Sequence, residues 1–336
     1  MPGLAPISVQ PRRTVAGQRR YPRSMHHSSS EARDERLGIA AAVGAALIYG
    51  AAYPATAIAL RSFTPLGVAG LSCTIALVLV VGLAAAGVLP RPTLGGMTGA
   101  RLARLAVLAG LGGVGFIAGV NLAVALAGPT ITGFVATLYA ILGTLLAVPI
   151  LGERVRRSTV AALGLALAGT VLLAGVKPDG ASGAGIAMAF TSASMFGLYL
   201  VLARRWGTVY RLDGTLITMA NLVGRGPILL LAALAIESGP LIPASPDLSA
   251  VVALGSIVVG SSTSGNLLLM ASVRRVAAGR TSAALLLTPI ASALIAAIVL
   301  SERLEPIQLA GAGLILAAIA GAGGLLGRGQ QPETVA

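Results

Sequence analysis

Charged residues are scarce: only 10% of the 336 residues are Asp, Glu, Lys or Arg, against roughly 25% in a soluble globular chain, whose surface must face water. Aromatics are equally thin at 4%, which removes the stacking platforms that single-stranded nucleic acid requires. Cys73 is the single cysteine, so the chain has no disulfide framework. The two histidines, His26 and His27, are adjacent near the amino terminus, and Lys177 is the single lysine. A metal-ligand set, a buried catalytic dyad and a Gly-X-X-X-X-Gly-Lys-Ser/Thr phosphate loop therefore have no raw material. The expectation is a protein without metal, cofactor or enzymatic activity.

Apolar residues dominate instead, at 56%, and the mean hydropathy is +0.89. A chain of this kind lacks the polar surface to enclose itself in water and reads as an all-α integral membrane protein. Its net charge of +13 comes from 23 arginines and one lysine, set mainly between apolar runs. With so few aromatics, that charge fits membrane topology and not nucleic-acid binding.

Residues 1–36 form a basic segment in which Arg12, Arg13, Arg19, Arg20 and Arg23 precede the first acid, Glu31. No apolar run of signal-peptide length occurs there, and the segment reads as a disordered cytoplasmic tail beside anionic lipid. From Leu37 onward apolar runs of about 18–24 residues follow, each able to cross roughly 30 Å of hydrocarbon as a helix. Five spans are predicted within 37–177, at 38–60, 66–89, 105–127, 131–151 and 159–176. Five more are predicted within 178–328, at 184–203, 214–236, 249–271, 281–300 and 307–327, leaving 329–336 as a second tail.

The arginines orient these ten spans. Counting from a cytoplasmic amino terminus, the even-numbered loops hold Arg91, Arg101 and Arg104, then Arg154, Arg156 and Arg157, then Arg204, Arg205 and Arg211, then Arg274, Arg275 and Arg280. The odd-numbered loops hold only Arg61, Lys177 and Arg303, together with Asp179, Glu237, Asp247, Glu302 and Glu305. That asymmetry follows the positive-inside rule and leaves both termini in the cytoplasm.

The chain also repeats itself. Residues 132–155 align without gaps on 281–304 at an offset of 149, with eight of 24 positions identical. The shared Leu-X-Glu-Arg, at Leu151–Arg154 and Leu300–Arg303, carries more weight than the apolar matches. Asn121-Leu122 matches Asn266-Leu267, and Tyr49-Gly50 echoes Phe196-Gly197. Five spans per repeat is an odd number, so the two repeats lie inverted in the membrane. Inverted repeats build secondary transporters, with the substrate site near the midplane where the repeats meet.

With an Asn in the third helix of each repeat and Leu-X-Glu-Arg after the fourth, the chain resembles the drug/metabolite transporter superfamily, EamA type, over residues 38–327. The resemblance implies two inverted five-helix repeats that move small polar metabolites, such as amino acids or related organic anions, by alternating access. Export, sometimes uptake, driven by ion gradients or exchange, is the implied activity, and the cell inner membrane the implied location. Many relatives carry an arginine within the second helix, where this chain reads Leu71-Ser72-Cys73, so any role of that arginine does not transfer. A broad drug exporter would want a midplane carboxylate to attract a cation, and none is present. A non-transporting scaffold would not require the inverted duplication. The expected partners are a small-molecule substrate and the lipid bilayer, for a monomer or homodimer.

Candidate site residues follow from burial cost. Asn121, Asn221 and Asn266 fall inside predicted spans and need hydrogen-bond partners, which either a substrate or a neighbouring helix supplies. Tyr49, Tyr53 and Tyr139 read as the lining of an amphipathic pocket or as interfacial anchors. Glu153 and Glu302 end helices, where the macrodipole disfavours a carboxylate, so each needs a cation such as Arg154 or Arg303. Those ion pairs are either gates or membrane-edge bridges that fix a loop.

Arg225 is the central candidate, at the middle of 214–236 with Gly224, Gly226 and Pro227 beside it. A charge at the bilayer centre costs at least about 2.5–3.5 kcal/mol, so it should face the bundle interior and hold a partner. No Asp or Glu falls mid-span, whereas a bound carboxylate or phosphate would suit a bidentate guanidinium. Gly-Arg-Gly-Pro also predicts a broken helix at this point. In the competing register the helix begins at Gly226, Arg225 ends a cytoplasmic loop, and Glu237 is buried.

The topology can be tested directly. Reporter fusions at Gly180 and Gly239 are expected to read as external, and fusions at Arg157, Arg205 and Ala278 as cytoplasmic. A cytoplasmic signal at Gly239 would break both the ten-span count and the inverted repeat.

Overall fold

Hydrocarbon offers the backbone no hydrogen-bond partner, so an apolar chain must satisfy its own peptide groups, and a helix does this within one segment. The computed structural model describes residues 25–89, 97–152, 157–174, 182–210, 214–276, 281, 284–301 and 305–326. Among these the regular structure is helical, with no strand. Helix α1 spans Met25–Ala59 and α2 spans Pro65–Ala85. α3 comprises Gly99–Leu108, a π-helical stretch at Ala109–Gly115, and Phe116–Ala127. α4 comprises Pro129–Thr137 and Tyr139–Leu151, joined across Leu138. α5 is Arg157–Ala174, α6 is Gly183–Val209 and α7 is Gly214–Ile236. α8 comprises Leu248–Ser256, a second π-helical stretch at Ile257–Gly265, and Asn266–Arg275. α9 is Thr288–Val299 and α10 is Pro306–Leu326.

Among the described residues seven helices, α1–α4 and α6–α8, are long and apolar enough to cross a membrane. The other three have shorter apolar stretches, at Val160–Gly169, Thr288–Val299 and Pro306–Ala318. The structure departs from the sequence reading in three places. α1 begins at Met25, so helix reaches back into the segment read as a disordered tail. Glu31, Ala32, Arg33, Glu35 and Arg36 are helix formers, and nothing among them stops the helix. α3 begins at Gly99 instead of 105 because Thr98 caps it, its hydroxyl accepting the Arg101 amide at 3.3 Å.

The third departure is α7, which runs without a break through Gly224-Arg225-Gly226-Pro227. Pro227 removes one N–H, yet α2 covers this turn so closely that a Cβ on Gly226 would lie 3.0 Å from the Thr74 backbone nitrogen. The interruptions lie elsewhere: as π-helical stretches in α3 and α8, and as single turns at Leu138 and Leu287. At those two turns the hydrogen bonds match, Leu138 N to Val135 O and Leu287 N to Ala284 O, both at 3.1 Å. These pairs keep the 149-residue offset of the sequence repeat.

Packing repeats as well. α1 packs on α8 and α9 as α6 packs on α3 and α4; α2 meets α8 as α7 meets α3; α2 and α7, α4 and α9, and α5 and α10 pair with each other. Exchanging each helix with the one five places along leaves this pattern unchanged, so the halves are related by an approximate two-fold axis. The closest approaches obey it too. A Cβ on Gly50 would lie 2.7 Å from Thr288 O and 2.9 Å from Ser292 N. A Cβ on Gly197 would lie 3.0 Å from Tyr139 O and 2.9 Å from Gly143 N, the equivalent atoms of the other half. Glycines of this kind let backbones pack without a hydrophobic drive between helices.

At the end of α7 the halves are also latched by charge. The Glu237 carboxylate accepts the Leu66 amide at 2.9 Å and the Gly67 amide at 3.2 Å, at the N-terminus of α2 where the helix dipole favours an anion. Nearby, Asp247 caps α8 and accepts from the Ser249 hydroxyl at 2.8 Å and amide at 3.1 Å. Those bonds, the hydroxyl one first, hold its carboxyl below the usual carboxylate range.

Alanine at the two symmetry-related glycines should overpack the bundle. Gly50→Ala and Gly197→Ala are each expected to cost about 1–3 kcal/mol, read as a lower melting temperature in detergent. Gly82→Ala, whose Cβ meets nothing within 4 Å, should leave the melting temperature unchanged or raise it.

Candidate functional site

The π-helical stretch of α3 is rich in glycine, with Gly110, Gly112, Gly113 and Gly115 in seven residues. Such stretches widen a helix locally and occur often at functional sites. Here they make a floor on which side chains from α6 and α7 lie. A Cβ on Gly112 would fall 2.5 Å from the Tyr199 ring, and one on Gly113 would fall 3.2 Å from Arg225 Cβ and 3.4 Å from Asn221 O. Asn221 and Arg225 are four residues apart and so share a face of α7. The Asn221 amide nitrogen donates to the Tyr199 hydroxyl at 3.0 Å.

α8 carries a related arrangement, in which the side chain it receives comes from α1 of the other half. Gly265, the last residue of its π-helical stretch, admits the Tyr49 ring, which would come within 2.8 Å of a Cβ there. The Tyr49 hydroxyl donates to Asn266 Oδ1 at 3.2 Å, and the Asn266 amide donates onward to Ser262 O at 2.9 Å. Arg225 lies close enough to both the Tyr49 and the Tyr199 hydroxyls to act on them electrostatically. One tyrosine–asparagine pair, Tyr199 with Asn221, therefore lies within the second half, and the other, Tyr49 with Asn266, joins the two halves.

Arg225 is only 5% exposed and lies in the apolar span Met219–Ile236, which removes the loop register. Its Nε is buried without a hydrogen-bond partner, as is Asn221 Oδ1. No carboxylate pairs with the guanidinium among the described residues. An unpaired cation in a low-dielectric interior is costly, and an anion is what relieves it. The arrangement has the chemistry to hold an anion: a fork of donors, with hydroxyl and amide groups nearby and an apolar surround. Among the described residues no group of three or more His, Cys, Asp or Glu could hold a metal.

An aromatic wall borders the cluster. Phe116 and Phe196 stack with centroids 4.3 Å apart, Phe196 and Tyr199 stack at 5.4 Å, and Tyr139 meets Phe196 edge-on at 5.0 Å. Tyr139 is within electrostatic reach of Tyr49 and Tyr53. The three tyrosines are thus gathered inside the bundle, not spread along the interfaces. Tyr53 is the least polar of them in its surroundings, packed against Val120, Val124 and Ala136.

Asn121 stands apart. Its amide donates to Ile117 O one turn back at 2.9 Å, its Oδ1 is buried without a partner, and no described contact links it to Arg225. Ser192 and Ser194 bond their own helix, at Ala189 O and Phe190 O. Glu153, Arg154, Glu302 and Arg303 lie outside the described residues. Sequence reasoning missed Tyr199, Phe196 and Phe116. A signal for the first was available: Phe196 and Tyr199 are three residues apart and so share a helix face, as Asn221 and Arg225 do.

Comparisons with known proteins bear on the family and the fold. The sequence profile of the EamA-like transporter family matches residues 36–175 and 183–323. No curated protein sequence matches the chain. Among solved structures 27 chains match. One crystal structure superposes with a TM-score of 0.65 at 22% identity, covering 88% of this chain and 98% of the other, which is a likeness of fold.

Gly112 offers a test of the floor. Gly112→Ala should push the Tyr199 ring off α3, break its bond with Asn221, and weaken binding of a carboxylate ligand about tenfold, or about 1.4 kcal/mol. Gly110→Ala, whose Cβ meets nothing within 4 Å, should bind as the parent does. Isothermal titration in detergent reads both.

Proposed function

The chain belongs to the EamA-like transporter family, and from that membership we propose that it is a secondary carrier that exports small organic anions and amino acids through a site at Arg225. The observation that carries the reading is the buried, unpaired guanidinium in an otherwise apolar span. An amino-acid or hydroxy-acid carboxylate would take one edge of that fork with its two oxygens. Tyr49, Tyr199, Asn221 and Asn266 would orient it, and the aromatic wall would exclude water. Cationic drugs are the disfavoured cargo, because Arg225 repels them and no acid lies beside it among the described residues.

The approximate two-fold relation of the halves supports alternating access between inverted five-helix repeats, of ten spans in all. In this reading 37–177 and 178–328 are the two repeats, and both termini are cytoplasmic. Glu153 with Arg154 and Glu302 with Arg303 close opposite faces as ion pairs.

Purified protein in liposomes, offered labelled alanine, glutamate, lactate and malate, tests this directly. Saturable flux of at least one is expected. Arg225→Leu should insert and melt as the parent does but lose at least 100-fold in flux, while Arg225→Lys retains a measurable fraction as a point charge. Normal transport by Arg225→Leu would sink the site assignment. Flux of none of the four by the parent protein would sink the proposed cargo.

A further inference from the structure

Arg225 also bears on how the carrier returns when empty. Of the eleven acids in the sequence, none falls in the middle of a membrane-crossing helix. Glu237 sits on the same helix, but twelve residues along it, about 18 Å at 1.5 Å per residue. Its two oxygens are already engaged by the Leu66 and Gly67 amides. The groups that flank Arg225 are hydroxyl and amide dipoles, and Asn266 and Asn221 already engage the two tyrosines. Among the described residues the empty site therefore carries a full positive charge with no carboxylate to neutralise it.

In a state open to one side, water hydrates that guanidinium. Passing to the other side requires an occluded state in which the water is expelled, and there the uncompensated charge is strongly unfavourable. A bound carboxylate cancels it. We infer that Arg225 makes this protein an anion exchanger: the loaded carrier reorients readily, the empty carrier reorients slowly, and one carboxylate leaves chiefly as another enters. This rests on the anion-carrier reading given above. With a cargo of net charge −1 the loaded site is neutral, so like-for-like exchange moves no charge at any step and is insensitive to membrane potential.

The experiment uses full-length protein in liposomes loaded with labelled lactate or glutamate, each of net charge −1, whichever moves faster, diluted into chloride-free medium. Efflux is followed with and without the same compound, unlabelled, outside. At least tenfold faster efflux with the external anion is expected, unchanged when a potassium gradient with valinomycin sets the membrane potential. Equal efflux with and without external anion would overturn the exchange inference and leave the carrier reading standing. Exchange that accelerates or slows with imposed potential would overturn it as well. Absence of efflux in either condition would overturn the carrier reading and this inference with it.

As a further arm, Arg225→Gln removes the charge and keeps donors. Its residual efflux, lower than the parent's, should lose the acceleration by external anion. Persistence of the tenfold acceleration in Arg225→Gln would show that the buried charge is not its cause, and would also overturn the inference.

Discussion

The lack of any hydrogen-bond partner in hydrocarbon is the constraint from which the architecture follows. It forces helix on every membrane-crossing segment, and it permits departures from regular helix only where protein covers the freed peptide groups. The departures here are the π-helical stretches at Ala109–Gly115 and Ile257–Gly265 and the turns at Leu138 and Leu287. All four lie on α3, α4, α8 and α9, the helices against which α1 and α6 pack. Among the described residues these irregular stretches are buried in part, at Gly112, Gly113, Ser262 and Gly265, and the polar side chains of the site gather there. The wider turns of α3 and α8 create room beside the axis, and Tyr199 and Tyr49 occupy it.

Close packing in this bundle depends on small residues because lipid tails are as apolar as leucine and give helices no hydrophobic reason to associate. Gly50 on α9 and Gly197 on α4 bring backbones into contact at equivalent points, and Gly169 does the same for α5 against Gly311 on α10. The surfaces left over are strongly apolar. Val78, Leu231, Leu234 and Ile298 are among the exposed large side chains, which is the pattern of a protein solvated by lipid on its outside. In water these positions would be liabilities.

Much of this was legible in the sequence because its signals are one-dimensional. Apolar runs set the helices, and the 149-residue offset that aligns the Leu-X-Glu-Arg segments also relates the turns at Leu138 and Leu287. Arg225 and Asn221 were legible because an ionisable or amide group within an apolar run is expensive enough to need a reason. Other features were not. Gly-Arg-Gly-Pro reads as a break, yet α7 continues through it because Thr74 on a distant segment packs against Gly226. Gly112 and Gly113 read as packing surface, and that was half of the matter. What they admit is Tyr199 and Arg225, an identity fixed only by how α6 and α7 are threaded. Asn121 and Asn266 match in sequence but differ in role, because Tyr49 reaches only the second.

The site breaks the symmetry that the scaffold keeps. Gly70 packs on Leu230 of α7 as Gly226 packs on Thr74 of α2, which makes the two glycines equivalent and places Ala69 opposite Arg225 in the repeat. A second arginine at Ala69 would put two like charges near one axis and double the desolvation to be offset. With one, a single carboxylate restores neutrality. Under the proposed alternating access, a two-fold scaffold would keep the inward-facing and outward-facing arrangements close in energy, since each half would play in one state the part its mate plays in the other. The lone charge would then set the condition under which the molecule passes between them.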